Sequence, residues 1–389
     1  MNIFIKHVLA IIFIVMSQSV MAQKAVKAEH VDSIIHISLL TCQAGQEVYS
    51  LYGHTAIHYV NVEKGIDVAI NYGMFSFSKP FFILRFVFGL TDYEMGVQDY
   101  QDFCRQYAFF QRGIIEQHLN IPAEDKLLFA KAVEQNYMPE NREYRYNYFY
   151  DNCTTRARDI ILGRLKDQIH YKRSDHGPSF RMMIHEYNED HPWARFGNDM
   201  LLGVQADRPT TIGEQQFLPD NLMKDFESAT FALEEGIKPV VGETTIVVPD
   251  FKHEAKKEFP LRPRECFLLL LVLTIVITVI EMYSKKRMWI YDLILMTASG
   301  LAGCVLFVMI FSQHPTVRFN LQLLLLNPLP LFFIKRLVAR RNDTSPDRLS
   351  AFWIVLICLF FVGSIWQTYA EGMYLLASSL LIRNIVRIK

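Results

Sequence analysis

The sequence predicts an exported α+β domain followed by an all-α membrane domain of about five transmembrane helices. Three observations lead to this prediction. Of the 389 residues, 51% are hydrophobic, and the mean hydropathy of +0.13 is too high for an ordinary soluble enzyme and too low for a chain that is membrane throughout. The 40 basic and 40 acidic side chains cancel overall, yet from Arg262 onward the chain holds 14 Lys and Arg against 6 Asp and Glu. Several apolar segments of about 20 residues lie in that basic part.

The composition also excludes two classes of protein. A formal net charge of zero argues against a nucleic-acid binder, because such a protein needs a basic surface to replace phosphate counterions. With 29 Phe and 18 Tyr the chain has enough material for a hydrophobic core, so extensive disorder is not expected.

Residues 1–22 are predicted to be a signal peptide. Lys6 supplies a positive charge, the apolar segment 8–16 is short for a spanning helix, and residues 20–22 have compact side chains at the cleavage-site spacing. An uncleaved signal anchor is the alternative. Either one sends the following domain, residues 23–260, across the inner membrane of a bacterium.

Residues 23–260 have the pattern of a periplasmic globular domain. Alternating, β-branched segments predict strands at 34–40, 55–60, 67–72 and 113–121. A helix is expected from Pro122 to about Gln135, because proline followed by acidic residues is typical of a helix start. The apolar segment 81–90 is compatible with a buried helix or with a surface that meets lipid, and 178–219 is loop-rich without a clear pattern.

Residues 261–389 are predicted to form the membrane domain. Its candidate helices are 266–283, 290–311, 321–338, 351–369 and 373–388. Arg383 interrupts the last of these, so that this segment either stops short or lies partly in the interface. Basic clusters follow the first, third and fifth segments. By the positive-inside rule these clusters are cytoplasmic, which places the globular domain in the periplasm and the C-terminus in the cytoplasm.

Two short motifs carry candidate chemistry. One is Tyr-Gly-His-Thr-Ala at 52–56, a glycine turn leading into a strand, and the other is Asp-Asn-Cys-Thr-Thr-Arg at 151–156. An acidic or amide residue just before Cys153 can cap a helix, and the positive end of a helix dipole favours a thiolate. A histidine brought beside it, such as His54, would complete the nucleophile–base pair of thiol catalysis. The plainer interpretation is a core or disulfide-bonded cysteine and a histidine that only satisfies a turn.

The other exported cysteines and histidines bear on this hypothesis. In an oxidising compartment two of Cys42, Cys104 and Cys153 can pair, and a bond between the first two would leave Cys153 free. His54 and His58 are four residues apart in a predicted strand, which separates them by about 13 Å, too far to share a metal ion. No metal site and no cofactor are therefore predicted, and His58 is expected to face solvent or to orient a partner.

Several motifs of this sequence occur together in one known family. In the periplasmic part they are Tyr-Gly-His-Thr-Ala at 52–56, Asn-Tyr-Gly at 71–73, Asn-Arg-x-Tyr at 141–144 and Asp-Asn-Cys-Thr-Thr-Arg at 151–156. In the membrane part they are His-Pro at 314–315, Asn320 and Asn-Pro-Leu at 327–329. This combination resembles the Lnb-type lipoprotein N-acyltransferases of Bacteroidota. The order of histidine before cysteine is also similar to that of permuted papain-like enzymes of the NlpC/P60 and lecithin–retinol acyltransferase kind.

The resemblance implies a circularly permuted papain-like α+β domain with Cys153 as nucleophile and His54 as base. Asn71, which ends the next predicted strand, is the first candidate for an orienting third residue, with a core or turn asparagine as the alternative. Substrate-binding roles are expected for Tyr52 at the oxyanion, for Arg156 toward phosphate, and for His314 and Asn320 toward a lipid headgroup or the acceptor amine. The alternatives are a structural salt bridge for Arg156 and a helix-end position at the interface for His314. The implied reaction moves an acyl chain from a membrane phospholipid through a Cys thioester to the N-terminal amine of diacylated lipoproteins. Position 58 departs from the family pattern, since His stands where a longer basic residue is expected.

Two other functions are compatible with the same motifs. One is a membrane-anchored thiol peptidase or amidase of the cell envelope, for which the helices would serve only as an anchor. The other is a non-enzymatic envelope scaffold, in which Cys153 would be buried and inert. Replacing Cys153 tests the scaffold hypothesis, and the chemistry of lipoprotein N-termini separates acyl transfer from peptidolysis.

Overall fold

The chain folds into two compact units that interleave along the sequence. The computed structural model describes residues 28–75, 80–173, 176–234, 236–251, 259–343 and 345–388. The sheet unit comprises Met1–Ser76, Asp92–Asp175 and Ile212–His253, and the helical unit comprises Phe77–Thr91, His176–Thr211 and Glu254–Lys389. Two segments that precede the predicted membrane domain thus fold with the C-terminal helices. The predicted signal peptide, residues 1–22, lies outside the described residues.

The sheet unit is built around a sheet of seven antiparallel strands. The strands of the chain are β1 (Ile35–Cys42), β2 (His54–Asn61), β3 (Ile66–Met74), β4 (Asp92–Asp99), β5 (Ile114–Leu119), β6 (Glu143–Arg145), β7 (Ile169–His170), β8 (Gly177–Ser179), β9 (Pro209–Thr210), β10 (Thr230–Leu233), β11 (Gly236–Pro239) and β12 (Val241–Val248). The seven-stranded sheet has the order β12-β5-β1-β2-β3-β4-β6, while β7, β10 and β11 form a smaller sheet and β8 pairs with β9 in the helical unit. The four predicted strands are confirmed as β1, β2, β3 and β5.

Helices cover both faces of the seven-stranded sheet. The helices of the chain are α1 (28–34), α2 (Phe82–Val87), α3 (Tyr100–Phe109), α4 (Ala123–Asn136), α5 (Cys153–Leu162), α6 (Phe180–Tyr187), α7 (Pro192–Leu201), α8 (Ile212–Gln215), α9 (Pro219–Ser228), α10 (Pro263–Ser284), α11 (Trp289–Met309), α12 (Pro315–Arg318), α13 (Leu329–Phe332), α14 (Ile334–Ala339), α15 (Arg348–Gly363) and α16 (Met373–Ile388). α4 begins directly after Pro122, as predicted, with acidic residues in its first turn. α3 packs on the face that carries Ala56, and α5 packs on the opposite face, where Thr55 donates to Thr154 at 3.0 Å.

A glycine fixes the turn that delivers the chain into β2. Gly53 has a φ of 76°, and a Cβ at this position would lie only 2.8 Å from the carbonyl oxygen of Cys42. Gly65, in the turn between β2 and β3, also has a positive φ of 62°, but a Cβ there would meet open space. Both positions therefore require a left-handed backbone, but only at Gly53 would a side chain clash with a neighbouring atom.

We expect Gly53→Ala to destabilise the sheet unit more than Gly65→Ala. Both substitutions lose about 1–2 kcal/mol from the left-handed backbone conformation, and only Gly53→Ala must also displace the end of β1. Thermal unfolding can be followed by alkylation of the Cys42 thiol, which is buried in the folded unit. Equal losses of stability in the two variants would contradict the assignment of a steric role to Gly53.

His58 is largely enclosed by a polar network, and its side chain is only 12% exposed. Its Nδ1 contacts Glu116 at 2.6 Å and its Nε2 contacts Asp67 at 2.8 Å, while the ring stacks on Tyr100 with 3.5 Å between centroids. The hydroxyl of Tyr100 donates to the same Glu116 carboxylate at 2.6 Å. The predicted solvent-facing position of His58 is therefore wrong, because Glu116 on β5 and Tyr100 on α3 enclose the histidine.

This network predicts a loss of stability in the sheet unit as the pH rises. Burial lowers the pKa of His58, but the hydrogen bonds and charges of Glu116 and Asp67 outweigh it, so the pKa is raised. The stabilisation is complete below the unfolded value of about 6.5 and disappears as the pH rises through the higher folded value. Alkylation of Cys42 on heating, measured across this range, should show a steeper loss of stability for the wild type than for His58→Gln. Parallel pH curves would contradict the prediction.

Among the described residues, two helices are long and apolar enough to cross a membrane. They are α10, with 22 residues, and α11, with 21 residues, and they correspond to the first two predicted membrane segments. α15 is apolar but has only 16 residues and ends at Gly363, well before the predicted end at 369. α16 has the bounds predicted for the fifth segment.

The predicted third membrane segment, 321–338, is wrong as a single helix. The structure has a 3-10 turn at Leu321–Leu324, followed by the separate short helices α13 and α14. Pro328 and Pro330 lack the N–H that a continuous helix needs, and each disfavours helical geometry in the residue before it. Gly303 of α11 approaches the backbone of Asn327 so closely that a side chain at 303 would clash. The broken segment thus packs tightly against α11.

The fifth segment continues through Arg383 because this charge is paired inside the helical unit. Its guanidinium donates to Asp292 at 2.8 Å, to Thr278 at 2.9 Å and to Glu281 at 2.5 Å. The Arg383 side chain is only 4% exposed, and a guanidinium is tolerated at such depth when its donors are satisfied. The helix therefore does not stop short at this residue.

Candidate active site

His54 and Asn71 lie on neighbouring strands and point to the same face of the sheet. β2 and β3 are antiparallel, with Ala56 directly opposite Asn71. Because side chains alternate along a strand, residues 54 and 56 share a face, and Asn71 lies diagonally across from His54. Nε2 of His54 donates to Oδ1 of Asn71 at 3.1 Å, and Asn71 is buried. This bond orients the ring and leaves Nδ1 as the nitrogen that can accept a proton.

Cys153 is the first residue of α5, and a well-formed cap positions it. Oδ1 of Asn152 accepts from the N–H of Thr154 at 2.9 Å and of Thr155 at 3.0 Å. The hydroxyl of Thr155 accepts in return from the N–H of Asn152 at 2.9 Å, which completes a capping box. The Asn152 amide also donates to two backbone carbonyls, which anchors the cap. The N–H of Cys153 stands at the first helical position, where it has no intrahelical acceptor.

The thiol of Cys153 lies close enough to the imidazole of His54 for each group to shift the pKa of the other. Desolvation opposes ionisation of the thiol, but the charge and hydrogen bond of His54, together with the N–H of Thr55, lower the pKa of Cys153 to about 7. Desolvation also lowers the pKa of His54, but Cys153 and Asn71 outweigh it, so this pKa is raised. Near neutral pH the pair can hold a thiolate beside an imidazolium. Both side chains are partly exposed, so a substrate can reach them.

Tyr144 and Gly73 line another side of the thiol. A Cβ built on Gly73 would lie 3.5 Å from Cβ of Cys153 and 3.9 Å from the hydroxyl of Tyr144. The guanidinium of Arg156 lies 3.5 Å from the centre of the Tyr144 ring and donates twice to Asp151, at 2.6 and 2.8 Å. Arg156 and Asp151 thus hold the tyrosine ring beside the nucleophile candidate.

The structure therefore brings together Cys153, His54 and Asn71, the three residues predicted to be catalytic. Tyr52 lies in the turn just before β2, two residues from His54. Arg156, predicted to bind substrate, is engaged by Asp151 and by the Tyr144 ring. Its described contacts thus position a neighbouring side chain, and the substrate-binding role stays a prediction.

The other two predicted substrate-binding residues belong to the helical unit. His314 is 3% exposed, and its Nε2 bonds to the carbonyl of Phe86 at 3.1 Å. Asn320 is also buried; it accepts from the amide of Gln367 at 2.9 Å and donates to the carbonyl of Met200 at 2.8 Å. Both side chains hold segments of the helical unit together, and their roles toward a substrate stay predictions.

Sequence reasoning assigned no role to Thr55, Gly73 or Tyr144. All three belong to the quoted motifs, so the signal was present, but nothing in the sequence shows which motif residues face the thiol. The N–H of Thr55 reaches Cys153 only because β2 and the start of α5 meet. Tyr144 reaches it because β6 joins the sheet at the edge next to β4.

Other exported thiols have a different environment. Cys42 and Cys104 are separate thiols and do not form the disulfide considered from the sequence. Burial raises the pKa of Cys42 to about 12, and desolvation also raises that of Cys104. Cys153 is the thiol of the three whose pKa is lowered. Within the described ranges, no group of three His, Cys, Asp or Glu could hold a metal ion.

The fold and this site define a membrane-anchored envelope protein with a candidate thiol centre in an α/β sheet domain. Two family models match the chain, the Lnb N-terminal periplasmic domain at residues 22–187 and the Lnb transmembrane domain at residues 254–389. The chain belongs to the Lnb family, with a periplasmic N-terminal part and a transmembrane domain. This membership suggests a lipoprotein-modifying enzyme of the cell envelope. Searches of the curated proteins and of the solved structures found no match.

Proposed function

We propose that the protein is a lipoprotein N-acyltransferase with a circularly permuted papain-like catalytic domain. It transfers an acyl chain from a membrane phospholipid through a Cys153 thioester to the N-terminal diacylglyceryl-cysteine amine of lipoproteins. The observation that carries this proposal is Cys153 at the start of α5, with its thiol pKa lowered to about 7 by His54, which Asn71 orients, in a chain that also has a transmembrane domain. The basic clusters favour a cytoplasmic C-terminus by the positive-inside rule, which agrees with a site that faces the periplasm.

In the first step the thiolate of Cys153 attacks an ester carbonyl carbon of the phospholipid. The proton of the thiol resides on Nδ1 of His54, while Nε2 stays bonded to Asn71. When the tetrahedral intermediate collapses, the carbon–oxygen bond breaks and His54 gives its proton to the leaving glycerol oxygen. The products are a lysophospholipid and the acyl thioester of Cys153.

In the second step the acceptor amine attacks the thioester carbonyl. His54 takes a proton from the attacking nitrogen, the carbon–sulfur bond breaks, and the thiolate is restored as the amide forms. A thioester suits this task because it is activated toward amines. Water must be kept from it, since hydrolysis would waste the acyl group. The surrounding aromatic side chains, among them Tyr93, Tyr144 and Tyr146, favour an acyl chain over water.

The negative charge of each intermediate needs donors close to the thiol. The N–H of Cys153 at the start of α5 is one donor, in the positive end of the helix dipole. Tyr144 is the second: its hydroxyl is buried beside Gly73, and no described residue offers its hydrogen an acceptor. Tyr52, in the turn before His54, is the other tyrosine that the sequence points to.

Tyr144→Phe tests this assignment against Tyr52→Phe. Removing one oxyanion donor typically costs about 10²–10³ in turnover, so we expect that loss for Tyr144→Phe and a smaller one for Tyr52→Phe. The rate of Cys153 alkylation should stay close to wild type in both, because neither variant removes His54. A larger loss for Tyr52→Phe would transfer the role to that residue.

The proposal is tested with the full chain reconstituted in phospholipid vesicles with a diacylglyceryl-cysteine lipopeptide. Mass spectrometry should find the lipopeptide heavier by one N-linked acyl chain, with lysophospholipid formed in equal amount. A lipopeptide that is cleaved would support the thiol peptidase alternative, and one that stays unchanged would favour the scaffold. In cells, the N-termini of lipoproteins should carry the third acyl chain only when Cys153 is intact.

A further inference from the structure

The edge of the sheet that carries His54 also carries a rim of exposed apolar side chains. Cys42, the last residue of β1, pairs with His54 on β2 and with Ile114 on β5. The loop that follows β1 and the loop that precedes β5 therefore leave the sheet at the edge where His54 stands. We call the exposed apolar side chains of these loops and of the end of α3 the apolar rim, formed by Val48, Tyr49, Phe109 and Phe110.

The members of the apolar rim are strongly exposed. Phe109 is 81% exposed, Tyr49 67%, Val48 66% and Phe110 60%. Single apolar residues on a surface are common, but several on adjoining segments at the edge that carries a reactive site indicate an interaction surface. Met74, at the neighbouring end of β3, is also exposed and extends the apolar character of this edge.

The two loops under the apolar rim are fixed to each other. Nε of Arg112 donates to the carbonyl of Gln43 at 2.8 Å, and the N–H of Gly113 donates to the Gln43 side chain at 2.8 Å. A Cβ on Gly45 would lie 3.5 Å from the Arg112 side chain, so the loops are in contact. The exposed aromatic rings therefore stand on a well-bonded base, and their exposure is a property of the fold.

A line of aromatic rings leads from the apolar rim toward the thiol. Tyr49 contacts Phe75 with 6.2 Å between centroids, Phe75 contacts Tyr93 at 5.1 Å, and Tyr93 contacts Tyr146 at 4.0 Å. Tyr93 and Tyr146 both lie close enough to feel the charge of Cys153. These ring contacts connect the rim to the apolar surroundings of the reacting sulfur.

We propose that the apolar rim inserts into the periplasmic surface of the bilayer and is the point where the donor phospholipid leaves the membrane for Cys153. The phospholipid bilayer is the occupant for two reasons. Aromatic side chains partition to the membrane interface. The chain's own transmembrane domain keeps the bilayer at high effective concentration.

The rim would also lower the cost of extracting a lipid. Every methylene that passes from the bilayer into water is unfavourable. If the rim is continuous with the bilayer, the acyl chain exchanges one apolar surface for another and never becomes fully hydrated. This part of the inference rests on the proposed function, whereas the contact between rim and bilayer does not.

The contact is tested without any reaction. Phe109→Cys is labelled with a dye whose emission rises in an apolar environment, in the full chain reconstituted in phosphatidylethanolamine and phosphatidylglycerol vesicles. Val62→Cys is the matched control, because Val62 is 61% exposed but lies in the turn at the opposite end of β2. We expect nitroxide groups on the lipid acyl chains to quench the dye at 109 and not the dye at 62. If a water-soluble quencher reaches both dyes equally and the lipid nitroxides quench neither, the contact between the rim and the bilayer is overturned.

The role in lipid extraction is tested by kinetics. The double variant Phe109→Ser, Phe110→Ser should lose about tenfold in acyl transfer from bilayer phospholipid. It should stay within about twofold of wild type with a short-chain phospholipid that is dissolved as monomers, and Val62→Ser should resemble wild type with both donors. Equal losses with both donors would indicate damage to the site and would overturn the extraction role.

Failure of this inference and failure of the proposed function give different results. If the wild type transfers no acyl chain from either donor, the proposed function fails while the quenching result still decides the contact. If transfer is normal but the rim variant acts like wild type on bilayer phospholipid, the proposed function stands and the rim inference fails. If the quenching of the dye at 109 is relieved only when a soluble peptide acceptor is added, the rim would be assigned to the acceptor and not to the bilayer.

Discussion

Cys153→Ala is expected to abolish acyl transfer while the protein remains folded. The thiol forms and later releases the acyl group, so no other side chain can replace it. Loss of a catalytic nucleophile typically removes a factor on the order of 10⁴ or more from turnover. The measurement is the initial rate of N-acyl lipopeptide formation by the full chain in vesicles. Folding is checked by the protection of the buried Cys42 thiol against alkylation.

Two further variants sharpen this prediction. Cys104→Ala removes another exported thiol whose pKa is raised, and it should keep wild-type activity. Cys153→Ser keeps the geometry but offers a far weaker nucleophile, so it should retain little activity. In the wild type without acceptor, mass spectrometry should find one acyl group on the peptide that contains Cys153. An acyl group on a different residue, or activity that survives Cys153→Ala, would remove the basis of the mechanism.

His54→Gln is expected to lower turnover by about 10²–10⁴-fold, the range typical of lost general acid–base catalysis. It should also change the thiol itself in the absence of substrate. His54 holds the pKa of Cys153 at about 7 against the effect of desolvation. Without the imidazole, the pKa should rise to at least the ordinary value of about 8.5. The pH dependence of iodoacetamide alkylation at Cys153 measures this shift directly.

The direction of the pH effect distinguishes a paired thiol from an isolated one. Alkylation of the wild type should already be half-maximal near pH 7, whereas His54→Gln should need a clearly higher pH. Asn71→Ala should show a smaller shift, because it removes the bond that orients His54 and not the imidazole itself. His58→Gln is the control, since His58 bonds to Glu116 and Asp67 instead. Identical profiles for the wild type and His54→Gln would exclude the proposed pair.

Local patterns predicted those parts of the fold that depend on neighbours in sequence. Alternation and β-branched residues predicted β1, β2, β3 and β5, because both features favour an extended strand over a helix. Proline and acidic residues predicted the start of α4, and the residues before Cys153 predicted its place at the start of a helix. Long apolar segments predicted α10 and α11, since twenty apolar residues in a row have few alternatives to a helix.

The register of the sheet determined the side-chain contacts that these local patterns could not predict. Asn71 was a candidate only because it ended a predicted strand, and it reaches His54 because Ala56 pairs with Asn71 and not with a neighbour. A shift of one residue would turn Asn71 to the other face. His58, expected to face solvent, is enclosed by Glu116 from a distant strand and by Tyr100 from a helix. Neither contact can be predicted from the residues next to His58 in the sequence.

The sequence by itself thus determined a periplasmic sheet domain, apolar helices that follow it, and two motifs able to supply a thiol and an imidazole. Only the tertiary structure decided that those two groups meet, that Tyr144 and Thr55 join them, and that 77–91 and 176–211 fold with the C-terminal helices. It also decided that 321–338 is broken where it packs on Gly303. The physical reason is that periodicity and capping act within a few residues of chain. Strand register, helix packing and the shift of a pKa depend on groups a hundred residues apart.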